Sequence, residues 1–134
     1  MTKGNIDLVA DWMKKFKQPV SKGFEDKKHL LLGMKLITEE GYELMSEVHK
    51  FLHDEGDKDH FVKELADLLW VVYWMACHVG VSIDDALLEL YTSNMSKLDD
   101  DGNPIFRDDG KILKGPHYEE PDMSDIVHRI PITL

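Results

Sequence analysis

Apolar residues recur at helical spacing over the first 98 residues, and this pattern predicts four helices. We expect them over residues 6–16, about 27–53, 60–79 and about 83–95. Pro19 and Gly23 break the pattern between the first two helices. Gly80 is a natural end for the third helix, and Ser82 with Asp85 resembles a capping box for the fourth.

The second and third predicted helices differ in character. The apolar positions of the second mark one face and comprise Leu30, Leu31, Met34, Ile37, Leu44, Met45, Val48 and Leu52. Gly41 lies in the middle of this helix, where glycine lowers stability by roughly 1 kcal/mol relative to alanine. A glycine at such a position indicates close helix packing or room for a ligand. The third helix is almost wholly apolar after Asp67, so we expect it at the centre of a bundle.

From Asp99 onward the pattern changes to that of an extended tail. The turn dipeptides Asp101-Gly102 and Asp109-Gly110 bracket the apolar pair Ile105-Phe106, which predicts one or two short strands or a hairpin. Three prolines, at 116, 121 and 131, exclude helix from most of the remainder. The predicted fold is therefore all-α, a single domain over 1–134 with a helical core about 5–97 and a tail about 98–134.

The charge and composition restrict the partners. A net charge of -10 argues against a nucleic-acid duplex, but a nucleotide remains compatible because bound divalent cations would invert the local charge. Cys77 stands alone in the sequence, so no disulfide framework is expected and a cytoplasmic location, host cytoplasm if the source is viral, is favoured. The apolar run 68–77 is far shorter than the ~20 residues that span a bilayer, so no membrane partner is expected.

Acidic residues form a pattern across the second and third predicted helices. Glu39, Glu40 and Glu43 lie within one turn, and Glu64 with Asp67 shares a face of the next helix. A short turn joins the two helices, so they should pack antiparallel with both groups at comparable height. Five facing carboxylates would repel strongly without cations, and hard oxygen ligands suit Mg²⁺ or Mn²⁺. Since Mg²⁺ in proteins is commonly coordinated by substrate phosphates as well as by carboxylates, the pattern indicates phosphoryl chemistry.

Other interpretations of the acidic pattern are weaker. Acidic residues number 26 of 134, so a solvated acidic face arises easily by chance, but the apolar run directly after Asp67 is a poor place for an idle carboxylate. A di-iron bundle requires Glu-x-x-His pairs, and the sequence has none. An EF-hand loop with Gly102 at position six would begin at Lys97 and end at Asp108. The first position of such a loop requires an oxygen ligand and the twelfth a glutamate, so the sequence does not fit.

Taken together, these motifs resemble a known family. Glu39-Glu40-Gly41-Tyr42-Glu43, followed after 20 residues by Glu64-Leu65-Ala66-Asp67, is similar to the E-E-x-x-E…E-x-x-D motif of the all-α nucleotide pyrophosphohydrolases, the MazG-like superfamily. The stretches 94–97 (NMSK), 109–116 (DGKILKGP) and 18–20 (QPV) with Phe16 resemble the small phage and bacterial members. The resemblance covers roughly residues 8–122.

The resemblance implies a helical bundle completed by dimerisation, as a homodimer or homotetramer, around a site that hydrolyses nucleoside triphosphates between the α- and β-phosphates. By position, Glu39, Glu40, Glu43 and Asp67 would ligate metal, and Glu64 would ligate metal or position the attacking water. Either Glu64 or Glu40 is the candidate general base, and the spacing does not separate them.

Substrate contacts are expected from the tail motif and the end of the fourth helix. Asn94, Lys97, Lys111 and Lys114 are the candidate phosphate ligands, since lysine serves phosphate as a flexible point charge. Two alternative functions remain open at the level of sequence: a phosphoribosyl-ATP pyrophosphohydrolase, which shares the acidic motif, and a helical module that binds nucleotide without catalysis.

Overall fold

The computed structural model describes residues 3–134, and within them it forms helices and no strand. The helices are α1 (Asn5–Lys15), α2 (Lys27–Leu52), α3 (Lys58–Val79), α4 (Ile83–Met95) and α5 (Ser124–His128). The all-α class and the four helices expected before residue 98 are confirmed. No single helix among residues 3–134 is long and apolar enough to cross a membrane, and only the consecutive pair α3–α4 reaches that length and composition.

Side-chain caps fix where the two longest helices begin. The Asp26 carboxylate accepts from the His29 amide at 3.2 Å at the start of α2. The Asp57 carboxylate accepts from the amides of Asp59 and His60 at the start of α3, which therefore begins two residues earlier than the apolar pattern indicates. Such caps satisfy amide groups that the first helical turn leaves without partners.

Two compact units make up the chain, the first being Met1–Val81 with Ile130–Leu134. In this unit α3 packs against both α1 and α2. The core lies mainly between α1 and α3 and contains the buried residues Val9, Ala10, Met13, Trp74 and Cys77. The expectation of a central third helix holds for its second half, because Val71 and residues 76–79 are also buried.

A short loop closes the end of α3. The amides of Ser21, Lys22 and Gly23 donate to the carbonyls of Cys77, His78 and Val79 at 2.8, 2.7 and 3.0 Å. These carbonyls would otherwise lack partners in the last turn. Gly80 follows at φ +81°, where a Cβ would approach Pro131 to 2.7 Å, so only glycine fits this position without strain.

The apolar face expected for α2 is confirmed only in part: Leu44 is buried and Leu30, Ile37 and Val48 are half-buried, whereas the other four of the eight expected positions are exposed. The buried positions of this helix are Gly33, Leu44 and Glu47, whereas Met34 and Met45 are exposed by more than half. A Cβ on Gly33 would come within 2.4 Å of Met75, so this glycine, and not Gly41, provides the close helix contact. No atom of the described residues lies within 4 Å of a Cβ at Gly41. The exposed apolar side chains remain free to pack elsewhere.

The second unit comprises Ser82–Arg129 and contains α4 and α5. It begins earlier than the tail boundary at residue 97 expected from sequence, because α4 bonds to the following chain: the Ser93 hydroxyl donates to the Glu119 carbonyl at 2.7 Å. The single-domain assignment stays a prediction. The capping-box expectation is met only in part, since the Ser82 hydroxyl donates to the Asp85 carboxylate and no side chain caps the α4 backbone.

The expected strands in the tail do not form among the described residues. The hairpin is reduced to one antiparallel bridge between Phe106 and Ile112, and Gly110 turns between them at φ +89°. Helix α5 was not expected, and it fits between Pro121 and Pro131 because neither proline lies within it.

Candidate metal centre

Four carboxylates of α2 and α3 converge in the first unit. Glu40 and Glu43 come from α2, and Glu64 and Asp67 from α3. One oxygen of each lies within 4.8 Å of those of the other three. The convergence follows from the i, i+3 spacing on each helix and from the antiparallel hairpin, as the sequence predicts.

Two oxygens of this cluster are buried and have no hydrogen-bond partner among the described residues. They are Oε2 of Glu40 and Oε2 of Glu64. Burial raises the pKa of Glu40 to about 7, and hydrogen bonding and repulsion from Glu43, then repulsion from Asp67 and Glu64, add to the effect. A divalent cation would supply both the missing partner and the missing charge, so these residues fit a metal ion with hard oxygen preference.

A lysine borders the cluster on α3. The Lys63 ammonium lies 2.7 Å from the Asp67 carboxylate and 3.3 Å from that of Glu64. These contacts raise the pKa of Lys63, the hydrogen bond to Asp67 being the largest cause. The Lys63 side chain is 64% exposed, which leaves it free to move when a stronger cation competes.

Glu47 is a second feature that the acidic motif does not include. It lies one turn after Glu43, is 7% exposed, and its Oε1 accepts from Lys50 at 2.8 Å. Its Oε2 is buried with no partner in the described part of the chain. The spacing of four residues from Glu43 was the available signal, but spacing alone does not show whether position 47 points inward or into solvent.

Residues 28–98 match the family model described as the MazG nucleotide pyrophosphohydrolase domain. The chain belongs to this family. The match spans α2, α3 and α4 and includes both halves of the acidic motif, so the resemblance based on that motif is confirmed. Members are generally dependent on divalent metal ions, in agreement with the carboxylate cluster. No curated protein gives a significant match to the chain.

Within this MazG domain, Glu39 is the one member of the predicted ligand set that lies outside the converging group. Its side chain is exposed, whereas Glu40 beside it is half-buried. Neighbouring residues on a helix point about 100° apart, so only one of an adjacent pair can face α3 fully. A metal role for Glu39 stays a prediction.

The predicted substrate residues all belong to the second unit. Asn94, Lys111 and Lys114 are exposed, and Lys97 is half-buried. The Lys114 ammonium lies 4.5 Å from the centre of the Tyr118 ring, a cation–π contact that leaves its charge uncompensated.

The backbone holds Lys97 and Lys114 in one neighbourhood. A Cβ on Gly115 would lie 2.5 Å from the Lys97 carbonyl and 2.6 Å from that of Leu98. Glycine is therefore required where the tail passes the end of α4. Their contact with a nucleotide stays a prediction.

Proposed function

We propose that this MazG domain hydrolyses nucleoside or deoxynucleoside triphosphates between the α- and β-phosphates, giving the monophosphate and pyrophosphate. Mg²⁺, with Mn²⁺ as a possible substitute, is the proposed cofactor. The observation that carries the proposal is the convergence of four carboxylate oxygens, two of the side chains having a buried oxygen without a partner among residues 3–134.

Glu40, Glu43, Glu64 and Asp67 would hold the metal, with Glu39 as a further predicted ligand. Bound Mg²⁺ would offset triphosphate charge and lower the pKa of a coordinated water. Glu40 and Glu64 are the two candidates for accepting the proton of the attacking water, because each keeps one oxygen without a partner in the part of the chain that the structure describes. Their burial restricts the number of orientations that each carboxylate can adopt.

The proposed phosphate contacts are Asn94, Lys97, Lys111 and Lys114. None of the three lysines forms an ion pair with a carboxylate among residues 3–134, so each ammonium is available to an anionic ligand. Their charge stands out in a chain of net charge -10. We expect Lys111→Gln and Lys114→Gln to raise KM with a smaller effect on kcat if the contact is uniform between ground and transition states.

We also propose that the chain acts as a homodimer or homotetramer. The support is the apolar surface left exposed on the first unit, which includes Leu65 and Leu69 on α3, Trp70 beside them, and Leu31 and Met34 on α2. Large apolar side chains exposed to this degree are typical of an interaction surface. Light scattering on the purified protein tests the state directly, and a monomer at micromolar concentration would contradict it.

The central experiment is a substrate panel. Each of the common ribo- and deoxyribonucleoside triphosphates is incubated with the protein and Mg²⁺, and released pyrophosphate and orthophosphate are measured separately. We expect pyrophosphate and the nucleoside monophosphate in equal amounts. Release of orthophosphate alone, or nucleotide binding by calorimetry without turnover of any nucleotide, overturns the proposal.

A second experiment separates metal ligand from general base. Metal binding and turnover are measured for Glu40→Gln, Glu64→Gln and Asp67→Asn, with Glu55→Gln, an exposed turn residue, as the matched control. A ligand variant should lose both metal affinity and turnover, whereas the base variant should retain metal and lose turnover by about 10²-fold or more. Unchanged turnover in all three variants would contradict the site assignment.

A further inference from the structure

The end of α1, the connection to α2 and the first turn of α2 together carry a charge opposite to that of the protein. Residues 14–29 contain six lysines and two carboxylates, a net charge of +4 in a chain of net charge -10. A uniform acidic surface would repel phosphate compounds, so a concentrated positive segment creates one place where such anions are attracted. This segment lies outside the acidic motif.

The positive segment surrounds a cleft. The cleft is a shallow depression, open to solvent, with a volume of about 510 Å³; it is lined by Lys14, Lys17, Gln18, Pro19, Val20, Lys22 and His29. Lys14 donates to the main-chain oxygen of Leu134, so its ammonium is already in use. Lys17 and Lys22 have no carboxylate partner within 4 Å in the described part of the chain, and their charges remain available.

The cleft is shaped in advance by its backbone. The amide of Lys22 is bonded to the end of α3, and the Gln18 amide donates to the Met13 carbonyl at 2.7 Å, which continues the end of α1. Lys17 lies between these bonds at φ +56°, a conformation that turns the chain back on itself. A ligand would therefore meet lysines on an ordered loop and lose less entropy on ordering them.

His29 borders the cleft on its α2 side. Its Nδ1 lies 2.7 Å from the Asp26 carboxylate, and this contact holds the ring in place. His29 precedes Glu40 by eleven residues on α2, or about 16 Å along the helix axis. The cleft and the metal centre are therefore separate places in the first unit.

We propose that this cleft is an anion site for a small phosphate-bearing compound, held by Lys17 and Lys22, with His29 at its edge. Two ammonium groups on an ordered loop match the charge and hydrogen-bond needs of a phosphate or diphosphate group. A pair of lysines favours a small ligand over a polymer, because a nucleic-acid strand requires an extended positive track. The proposal does not depend on hydrolysis at the carboxylate cluster.

The test uses pyrophosphate as the probe, in EDTA, so that no metal can recruit phosphate to the carboxylates. Binding is followed by calorimetry and by NMR of the histidine rings and backbone amides of the full chain. We expect saturable binding with the largest shifts at His29 and at the amides of residues 17–22. The double variant Lys17→Gln/Lys22→Gln should weaken affinity by about tenfold or more.

The matched control is Lys27→Gln/Lys28→Gln, which removes the same charge from the same segment at positions that do not line this cleft. It should change affinity by less than about twofold. Equal weakening in both double variants would show diffuse attraction and overturn the proposal, as would shifts that do not saturate. Binding of a single-stranded oligonucleotide without binding of pyrophosphate would overturn it in favour of a polymer. If a variant fails to fold, the chemical-shift changes of the wild-type protein on addition of pyrophosphate test the proposal by themselves.

Discussion

The Lys63 ammonium donates to the Asp67 carboxylate at 2.7 Å, one helical turn away, and so places a cation of the protein's own beside the proposed metal ligands. The same ammonium lies 3.3 Å from Glu64. Lys63 thus offsets part of the repulsion within the cluster. Its exposure allows it to yield to a divalent ion, which carries twice the charge and approaches the oxygens more closely.

We predict that Lys63→Met lowers the melting temperature in EDTA more than in saturating Mg²⁺. Without metal the cluster loses its nearest positive charge, whereas bound Mg²⁺ supplies that charge in the other condition. Lys35→Met, on the exposed surface of α2, is the control and should change the melting temperature equally in EDTA and in Mg²⁺. Thermal denaturation followed by circular dichroism measures the difference, and equal losses for Lys63→Met in the two buffers would contradict it.

The pKa of Glu40 predicts how the metal-free protein responds to pH. Since burial and neighbouring carboxylates raise this pKa from 4.5 to about 7 in the folded state, the folded chain holds the proton more tightly than the unfolded chain. The stability from this group is fully present below pH 4.5 and is lost as pH rises through 7. Urea unfolding in EDTA at several pH values should show this decline, and Glu40→Gln should reduce it. A decline of the same slope in the variant would refute the assignment to Glu40.

Two glycines of α2 should respond differently to alanine. At Gly41 a Cβ meets nothing within 4 Å, so Gly41→Ala should raise the free energy of unfolding by about 1 kcal/mol through helix propensity. At Gly33 the Cβ would lie 2.4 Å from the Met75 methyl and 3.0 Å from Trp74, so these side chains must shift. The cost of that shift should offset the stability gained from helix propensity. Denaturant titration of both variants gives the comparison. Equal stabilisation by the two substitutions would show that α2 and α3 are not packed closely at Gly33.

Gly115→Ala should loosen the tail beside the end of α4. The new Cβ would lie 2.5 and 2.6 Å from the carbonyl oxygens of Lys97 and Leu98, and backbone atoms cannot move aside as a side chain can. We expect faster tryptic cleavage after Lys111 and Lys114 while the helical content of the first unit is kept. Gly41→Ala serves as the control for a glycine in open space, and unchanged cleavage of Gly115→Ala would contradict the close approach.

Local sequence signals were sufficient for the helices and for most of the metal centre. Gly80 marks the end of α3 through chemistry that depends only on neighbouring residues, a glycine at positive φ, whereas the apolar pattern placed the start of α3 two residues too late because the Asp57 cap lies outside that pattern. The convergence of Glu40 and Glu43 with the acidic pair of α3 followed from helical spacing and a short connection. These features are encoded within a few residues of where they act.

Features set by long-range packing were not predictable in the same way. The inward face of α2 is determined by contact with α3, and the sequence shows apolar residues on more than one side of α2. This choice places Glu47 inside and Glu39 outside, although both are glutamates near Glu43. Lys63 was missed because a lysine at that spacing is common on exposed helices. In the tail, one bridge replaced the expected strands because no third segment pairs with them in the described chain.

The loop that closes α3 should behave as a helix does when its hydrogens are exchanged for deuterium. The amides of Ser21, Lys22 and Gly23 donate to the last carbonyls of α3, so each is protected for as long as the loop stays on the end of that helix. Their exchange should therefore be slow, whereas amides at the tip of a free loop exchange at once. A change in the length of this loop would expose the last carbonyls of α3 to solvent.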